Sequence, residues 1–291
     1  MVNHKSGDLE KGVVRTERFE MEYFRFGEGK RTMVILPGLS VQSVMDSANA
    51  VEHEYREMEA DFTVYVFDRR KALPRSYPVD EMARDTAEAM ACLGLERVCL
   101  FGASQGGMMA LRITLDHPEM VEMLALGSTC ARVEERQFRE LEHWASLARK
   151  GDGSALYEAF GKAIYPPAFM KKYGKAMLSL GALVKKEDLE RFIILIEGTE
   201  GFDVSDSLAQ IKCPVLVIGA RDDVVLGPDT SQKIAEALKE NGNCELFLYD
   251  GYGHAAFDTA PDYRTRLHRF FVTAQRLLRS ERWGDEQLRF L

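Results

Sequence analysis

Several things are missing from this chain, and each absence removes a class of function. No long basic run interrupts the 291 residues, and 38 basic against 46 acidic side chains leave a net charge of −8. Nucleic acid and anionic membrane need a concentrated positive field, so neither partner is expected. No apolar stretch approaches the length that spans a bilayer, and Met1 to Asp8 contain no apolar segment of the secretory kind. The expected location is the cytoplasm. The five cysteines, Cys92, Cys99, Cys130, Cys213 and Cys244, are odd in number, scattered and without a C-x-x-C pair. They read as small buried or half-buried hydrophobes in a reducing compartment. The histidines and cysteines show no metal-ligand spacing, and no G-x-G-x-x-G fingerprint is present. Neither metal nor cofactor is expected, which leaves a small-molecule substrate as the partner. Monomer and homodimer are equally compatible with the sequence.

What the chain does contain is enough apolar material, 46% of residues, for one large core. Continuous apolar runs recur at Thr32–Leu36, Phe62–Phe67, Arg97–Phe101, Val121–Leu126, Pro214–Ile218 and Glu245–Tyr249, after an alternating segment at Phe19–Phe26. Runs of this kind suit strands covered on both faces. Helical patterns fall between them, at Val79–Leu93, Gly107–His117, Asp229–Lys239 and Pro261–Leu278. The alternation predicts an α/β fold with a mostly parallel, doubly wound sheet, whose catalytic loops lie at the carboxyl ends of the strands.

Residues 132–200 break this rhythm. They show no strand signal but three amphipathic stretches, Glu134–Lys150, Gly153–Ala163 and Lys185–Ile196, punctuated by Pro166-Pro167 and by glycines at 151, 153, 174 and 181. The segment reads as a helical cap inserted at the carboxyl edge of a core formed by 1–131 and 201–291; an independent helical domain is the alternative. Its Phe138, Leu141, Trp144, Leu147, Tyr157, Phe160, Tyr165, Phe169, Met170, Tyr173 and Met177 could wall an apolar pocket, although helix packing accounts for most of them. Ser280 to Leu291, charged with a few apolar residues, reads as a tail or a small interface.

The most informative motif is Gly102-Ala103-Ser104-Gln105-Gly106, which follows an apolar strand and opens a helix. A serine on such a turn stands clear of the sheet, and the flanking glycines permit the tight approach. A hydroxyl is a weak nucleophile without a base and a group to orient that base. Downstream, Gly219-Ala220-Arg221-Asp222-Asp223 ends one strand and Asp250-Gly251-Tyr252-Gly253-His254 follows another. His254 alone of the six histidines follows a strand through a glycine-rich loop.

In the order of these motifs the chain resembles the α/β-hydrolase superfamily from about Phe19 to Leu278. The resemblance rests on Leu36-Pro37-Gly38, the Gly102–Gly107 elbow, Gly219-x-x-Asp222 and Gly253-His254. It implies the α/β-hydrolase fold with a helical cap after the sixth strand. It further implies Ser104 as nucleophile, His254 as general base and then acid, and Asp222 as the group that orients His254. The family spacing favours Asp222, with Asp223 capping or hydrogen-bonding in the loop. The backbone amides of Leu39 and Gln105 would form the oxyanion hole, with Ser40 a turn-stabilising hydroxyl. Where many relatives carry Asp-x-Arg-Gly-x-Gly-x-Ser, this chain has Asp68-Arg69-Arg70-Lys71-Ala72-Leu73-Pro74-Arg75-Ser76, without glycine. Either Arg69 or Arg70 faces the site and favours an acidic substrate, or the loop is a solvated basic segment paired with acidic neighbours.

The expected activity is a serine hydrolase of the carboxylesterase type, cleaving a small to medium ester with an apolar acyl or aryl part through an acyl-enzyme on Ser104. The same triad could act on an amide, peptide, thioester or carbon–carbon bond, or transfer an acyl group. A low-turnover receptor for a small ligand is a further alternative.

Overall fold

A computed structural model describes residues 9–279, with the backbone alone for 274–279; the Ser280–Leu291 segment discussed above lies outside the described residues. Among these residues the strands are β1 (Glu10–Arg15), β2 (Glu20–Phe26), β3 (Arg31–Leu36), β4 (Phe62–Arg70), β5 (Val98–Ala103), β6 (Val121–Gly127), β7 (Val215–Ala220) and β8 (Cys244–Tyr249). They form one sheet in the order β1-β2-β4-β3-β5-β6-β7-β8. The first two pairings, β1 with β2 and β2 with β4, are antiparallel, and all later ones are parallel.

The central strands are apolar throughout because helices cover both faces. Side chains alternate between the two, as strand geometry requires. Val34, Leu36, Leu100, Leu124 and Val217 face one layer of the core, while Met33, Ile35, Cys99, Phe101, Met123 and Ile218 face the other. The first layer is closed by α2 (Val79–Cys92), α3 (Gln105–Asp116) and α8 (Thr230–Leu238), the second by the segment around α1 (Ala48–Glu54) and by α10 (Tyr263–Arg279). Leu100 and Phe101 are essentially inaccessible, and each such side chain contributes about 1.5–3 kcal/mol by leaving water.

Between β6 and β7 lie four helices, α4 (Glu135–Arg149), α5 (Gly153–Ile164), α6 (Pro167–Gly181) and α7 (Lys186–Glu197). Three match the amphipathic stretches. The fourth, α6, covers residues that read as punctuation: Pro167 occupies the first helical turn, where its missing N–H would have no intrahelical partner. Gly181 sits against Gly153, letting α5 and α6 approach closely. The α4–α7 residues Leu141, Trp144, Leu156 and Phe192 are continuous with the sheet's first core layer. A short helix, α9 (Ala256–Thr259), precedes α10.

Two strands also depart from expectation. β1, the polar edge strand, carries no apolar run to betray it. β4 continues through Asp68, Arg69 and Arg70, which read as the start of a loop. The strand tolerates these charges because each is paired: Asp68 with Arg191, Arg69 with two oxygen acceptors, and Arg70 with Asp85.

Candidate active site

The turn between β5 and α3 places Ser104 at φ 51° and ψ −121°, a conformation rare for a residue with a Cβ. Its backbone is braced by hydrogen bonds, among them one from Met108 N to its carbonyl at 3.2 Å. Its N–H donates to the Gly127 carbonyl at 2.8 Å, and its carbonyl accepts from Gly107 N at 2.9 Å and from the Thr129 hydroxyl at 2.7 Å. The elbow glycines are there for close approach. A Cβ on Gly102 would meet the Gly106 carbonyl, and one on Gly106 would meet the Leu36 carbonyl of β3. The serine is thus lifted by packing that only glycine allows.

His254 lies beyond β8, in the loop that leads to α9, and is 4% exposed. Its Nε2 lies 3.0 Å from Ser104 Oγ, and its Nδ1 lies 2.8 Å from Asp223 Oδ2. A carboxylate can only accept, so Nδ1 carries the proton and Nε2 offers its lone pair to the serine hydroxyl. Asp223 is 3% exposed. Its second oxygen accepts from Val225 N at 2.9 Å and Leu226 N at 3.1 Å, which fixes the carboxylate plane.

The structure corrects the choice of acid. Asp222, favoured by the family spacing, is exposed and points the other way. Its oxygens accept from Gly251 N at 3.2 Å and Gly253 N at 3.1 Å. Asp222 therefore shapes the backbone of the loop that carries His254, and Asp223 makes the contact with the imidazole. The two residues follow β7 in one tight turn, where a one-residue step reverses the side-chain direction. Spacing alone does not register that reversal.

Ser104 and His254 open onto a cavity of about 680 Å³, within the range of small-molecule sites. Leu39 and Gln105, the two residues expected to supply oxyanion amides, both line it beside Ser104. The Gly38 position lies against Ser104, with an ideal Cβ 3.1 Å from the serine Cβ, so the turn after β3 runs directly past the hydroxyl. Gln105 is the first residue of α3, and its amide has no intrahelical acceptor. Ser40 Oγ donates to the Gln42 carbonyl at 2.7 Å, a turn-stabilising bond.

Of the apolar residues singled out between 132 and 200, Leu141, Trp144, Tyr157, Phe160, Tyr165, Phe169, Tyr173 and Met177 line the cavity, while Phe138, Leu147 and Met170 do not. Neither Arg69 nor Arg70 reaches it, and no lysine or arginine is among its lining residues. Nor are these two arginines solvated. Arg69 is 3% exposed, and Arg70 packs on the Tyr77 ring, 4.8 Å from its centroid, beside Asp85. A run of basic residues ordinarily signals a wet loop; here acceptors draw Arg69 and Arg70 inward, while Lys71, paired with Glu22, and Arg75 stay exposed. One acid that sequence reasoning passed over, Asp258, lines the cavity and accepts from the Tyr165 hydroxyl at 3.1 Å. Asp258 is exposed at the cavity rim; desolvation by the groups packed around it raises its carboxyl to about 6, against the opposing hydrogen bond from Tyr165. Among the described residues no cluster suited to a metal is present, and no helix is long and apolar enough to cross a membrane.

Comparison with known proteins agrees with this architecture. A protein of Agrobacterium fabrum named "Putative carbamate hydrolase RutD" is 26% identical over 254 residues, covering 84% of this chain and 96% of its own length. The crystal structure of MGS-M2, an alpha/beta hydrolase from a deep-sea metagenome library, superposes with a TM-score of 0.79 at 23% identity, covering 90% of this chain and 97% of that one. The enol-lactonase of Burkholderia xenovorans LB400 does so with a TM-score of 0.77 at 20% identity, covering 90% and 100%. At such identities the two structures establish a shared fold. The model of the alpha/beta hydrolase family matches residues 33–265, and the chain therefore belongs to the alpha/beta hydrolase family.

Proposed function

We propose that the protein is a serine hydrolase that cleaves small to medium carboxylic esters through an acyl-enzyme on Ser104. The observation that carries this reading is the continuous hydrogen-bonded line from Asp223 through His254 to Ser104 Oγ at the edge of an apolar cavity. In the first step Ser104 Oγ attacks the ester carbonyl carbon while His254 Nε2 takes its proton, and the Asp223 carboxylate holds the resulting imidazolium. The carbonyl oxygen becomes an oxyanion, for which the Leu39 and Gln105 amides are the donors. Collapse of this intermediate expels the alcohol, which receives its proton from His254. Water then attacks the acyl-enzyme, giving a proton to His254, and the acid departs as Ser104 regains its hydrogen.

The α4–α7 helices act as the cap of this site. Their aromatic side chains and the lack of lysine or arginine in the lining favour an uncharged acyl or aryl group. A second reading, carbamate cleavage by the same attack, is supported by the name of the Agrobacterium fabrum relative.

The test is a panel of p-nitrophenyl esters of rising acyl length, a matching N-alkyl carbamate, and labelling by an alkyl fluorophosphonate. Turnover that rises with chain length and then falls, with labelling abolished in Ser104→Ala, is the expected result. Labelling with flat, negligible ester turnover refutes the ester reading, and efficient carbamate turnover in its place establishes the second one.

A further inference from the structure

We propose that Arg69 is a positioning residue for oxyanion stabilisation: its buried guanidinium ties the turn after β3 to the first residue of α3 and so sets the spacing of the Leu39 and Gln105 amides. The inference deepens the serine-hydrolase reading above and rests on it.

Arg69 is the penultimate residue of β4, which lies beside β3 in the sheet, and β3 lies beside β5. Its side chain reaches past the end of β3. Nη2 donates to the Pro37 carbonyl and to Gln105 Oε1, both at 2.9 Å. One acceptor is two residues before Leu39, and the other belongs to Gln105 itself. A single rigid, planar group therefore bridges the two segments that must present their N–H groups to one oxygen atom.

The same segment is held at two further points. Arg191 of α7 donates to the Ser40 carbonyl at 3.4 Å and to Asp68, and Asp68 accepts from the Ser43 hydroxyl. Gln105 Nε2 donates to the Leu195 carbonyl of α7 at 2.7 Å, so the side chain that Arg69 grips is fixed at its other end. Leu39 thus lies between two carbonyls that are each anchored by a guanidinium.

A stabilising role alone does not account for this arrangement. Asp68 is ion-paired with Arg191, the Arg69 guanidinium donates to neutral oxygens, and burial lowers Arg69 to about 10. The group stays charged at neutral pH at a cost in desolvation that an apolar side chain of similar length would avoid. What the apolar chain would lack is the bridge. Oxyanion stabilisation depends on donors placed in advance of the reaction, and small displacements of them are costly in rate.

The experiment compares Arg69→Met and Arg69→Lys with the wild type in three readouts. These are kcat and KM for p-nitrophenyl butyrate, the second-order rate of labelling by an alkyl fluorophosphonate, and thermal unfolding. Arg69→Met is expected to lower kcat about 30- to 300-fold with KM changed less than about threefold, and to slow labelling alongside. Arg69→Lys, which keeps the charge but is shorter and lacks the rigid planar guanidinium, should fall between. A folded Arg69→Met with kcat and labelling rate near wild type overturns the assignment, as does a rise in KM at constant kcat. If the methionine variant does not fold, the lysine variant decides. A kcat several-fold down at unchanged KM supports the role, and wild-type kcat refutes it. Wild-type protein that labels at Ser104 but turns over no ester defeats the ester reading alone, because the labelling rates still test Arg69. Wild-type protein that does not label defeats the serine reading and the Arg69 assignment with it.

Discussion

Replacing Asp223 by asparagine is the sharpest perturbation of the proposed mechanism, because it changes one atom while leaving the packing in place. Asp223 uses one oxygen for Val225 N and Leu226 N and the other for His254 Nδ1. In Asp223→Asn the amide oxygen keeps the two backbone donors, and the NH2 group turns towards Nδ1. The imidazole must then accept at Nδ1 and carry its proton on Nε2, facing Ser104 Oγ across 3.0 Å. In that tautomer His254 cannot take the serine proton, and no carboxylate compensates an imidazolium. The expected loss in kcat is about 10³- to 10⁴-fold, equivalent to about 4–5.5 kcal/mol of transition-state stabilisation. Asp222→Asn is the control. An asparagine there retains one acceptor for Gly251 N or Gly253 N at an exposed site, so kcat should fall less than about tenfold, with a stability change of about 0.5–1.5 kcal/mol. The assay is kcat and KM on a p-nitrophenyl ester for both variants, with thermal unfolding to show that each is folded. If Asp222→Asn loses three orders of magnitude and Asp223→Asn stays near wild type, the assignment drawn from the hydrogen bonds is wrong.

Two other outcomes follow from titratable groups outside the triad. Asp258 is exposed at the cavity rim, yet desolvation by its neighbours raises its carboxyl to about 6, against an unfolded value near 3.9. The folded protein therefore holds an extra proton between about pH 4 and 6, and this contribution to stability is lost as pH rises through that window. Asp258→Asn, which can still accept from Tyr165, should melt above wild type at pH 7, with the difference shrinking towards pH 4; a lower melting temperature at both pH values refutes this. The thiols behave as their burial dictates. Cys92 is exposed, Cys99 and Cys130 are buried, and burial pushes Cys99, Cys213 and Cys244 up to about 12. A thiol reagent at neutral pH should titrate one fast group in the native protein and five in denaturant, and several fast native thiols would contradict it.

The elements that sequence reading located are those whose cause is local. Apolar runs mark the central strands because helices bury both of their faces. Ser104 is legible because a strand, two glycines required by close backbone approach and a helix start lie within a few residues. β1 escaped because an edge strand facing water needs no apolar pattern. α6 escaped because Pro167 and Gly181 read the same at a helix end as in a loop, and Gly174 is a poor helix former in its interior.

What the sequence determined by itself was the central strands of the sheet, the serine on its strained turn and the histidine beyond the last strand, since backbone propensity and hydrophobic period express each of these over short distances. Only the tertiary structure could decide between Asp222 and Asp223, which are equal in chemistry and neighbours in the chain. Side-chain direction in a turn depends on what closes around it, here Gly251 and Gly253 for one and His254 for the other. The same holds for Arg69. In the chain it is one of several consecutive charges, and its place behind the site is set by the Pro37 carbonyl and Gln105, acceptors 32 and 36 residues away. Hydrogen bonds between segments that distant come into being only when the sheet is assembled.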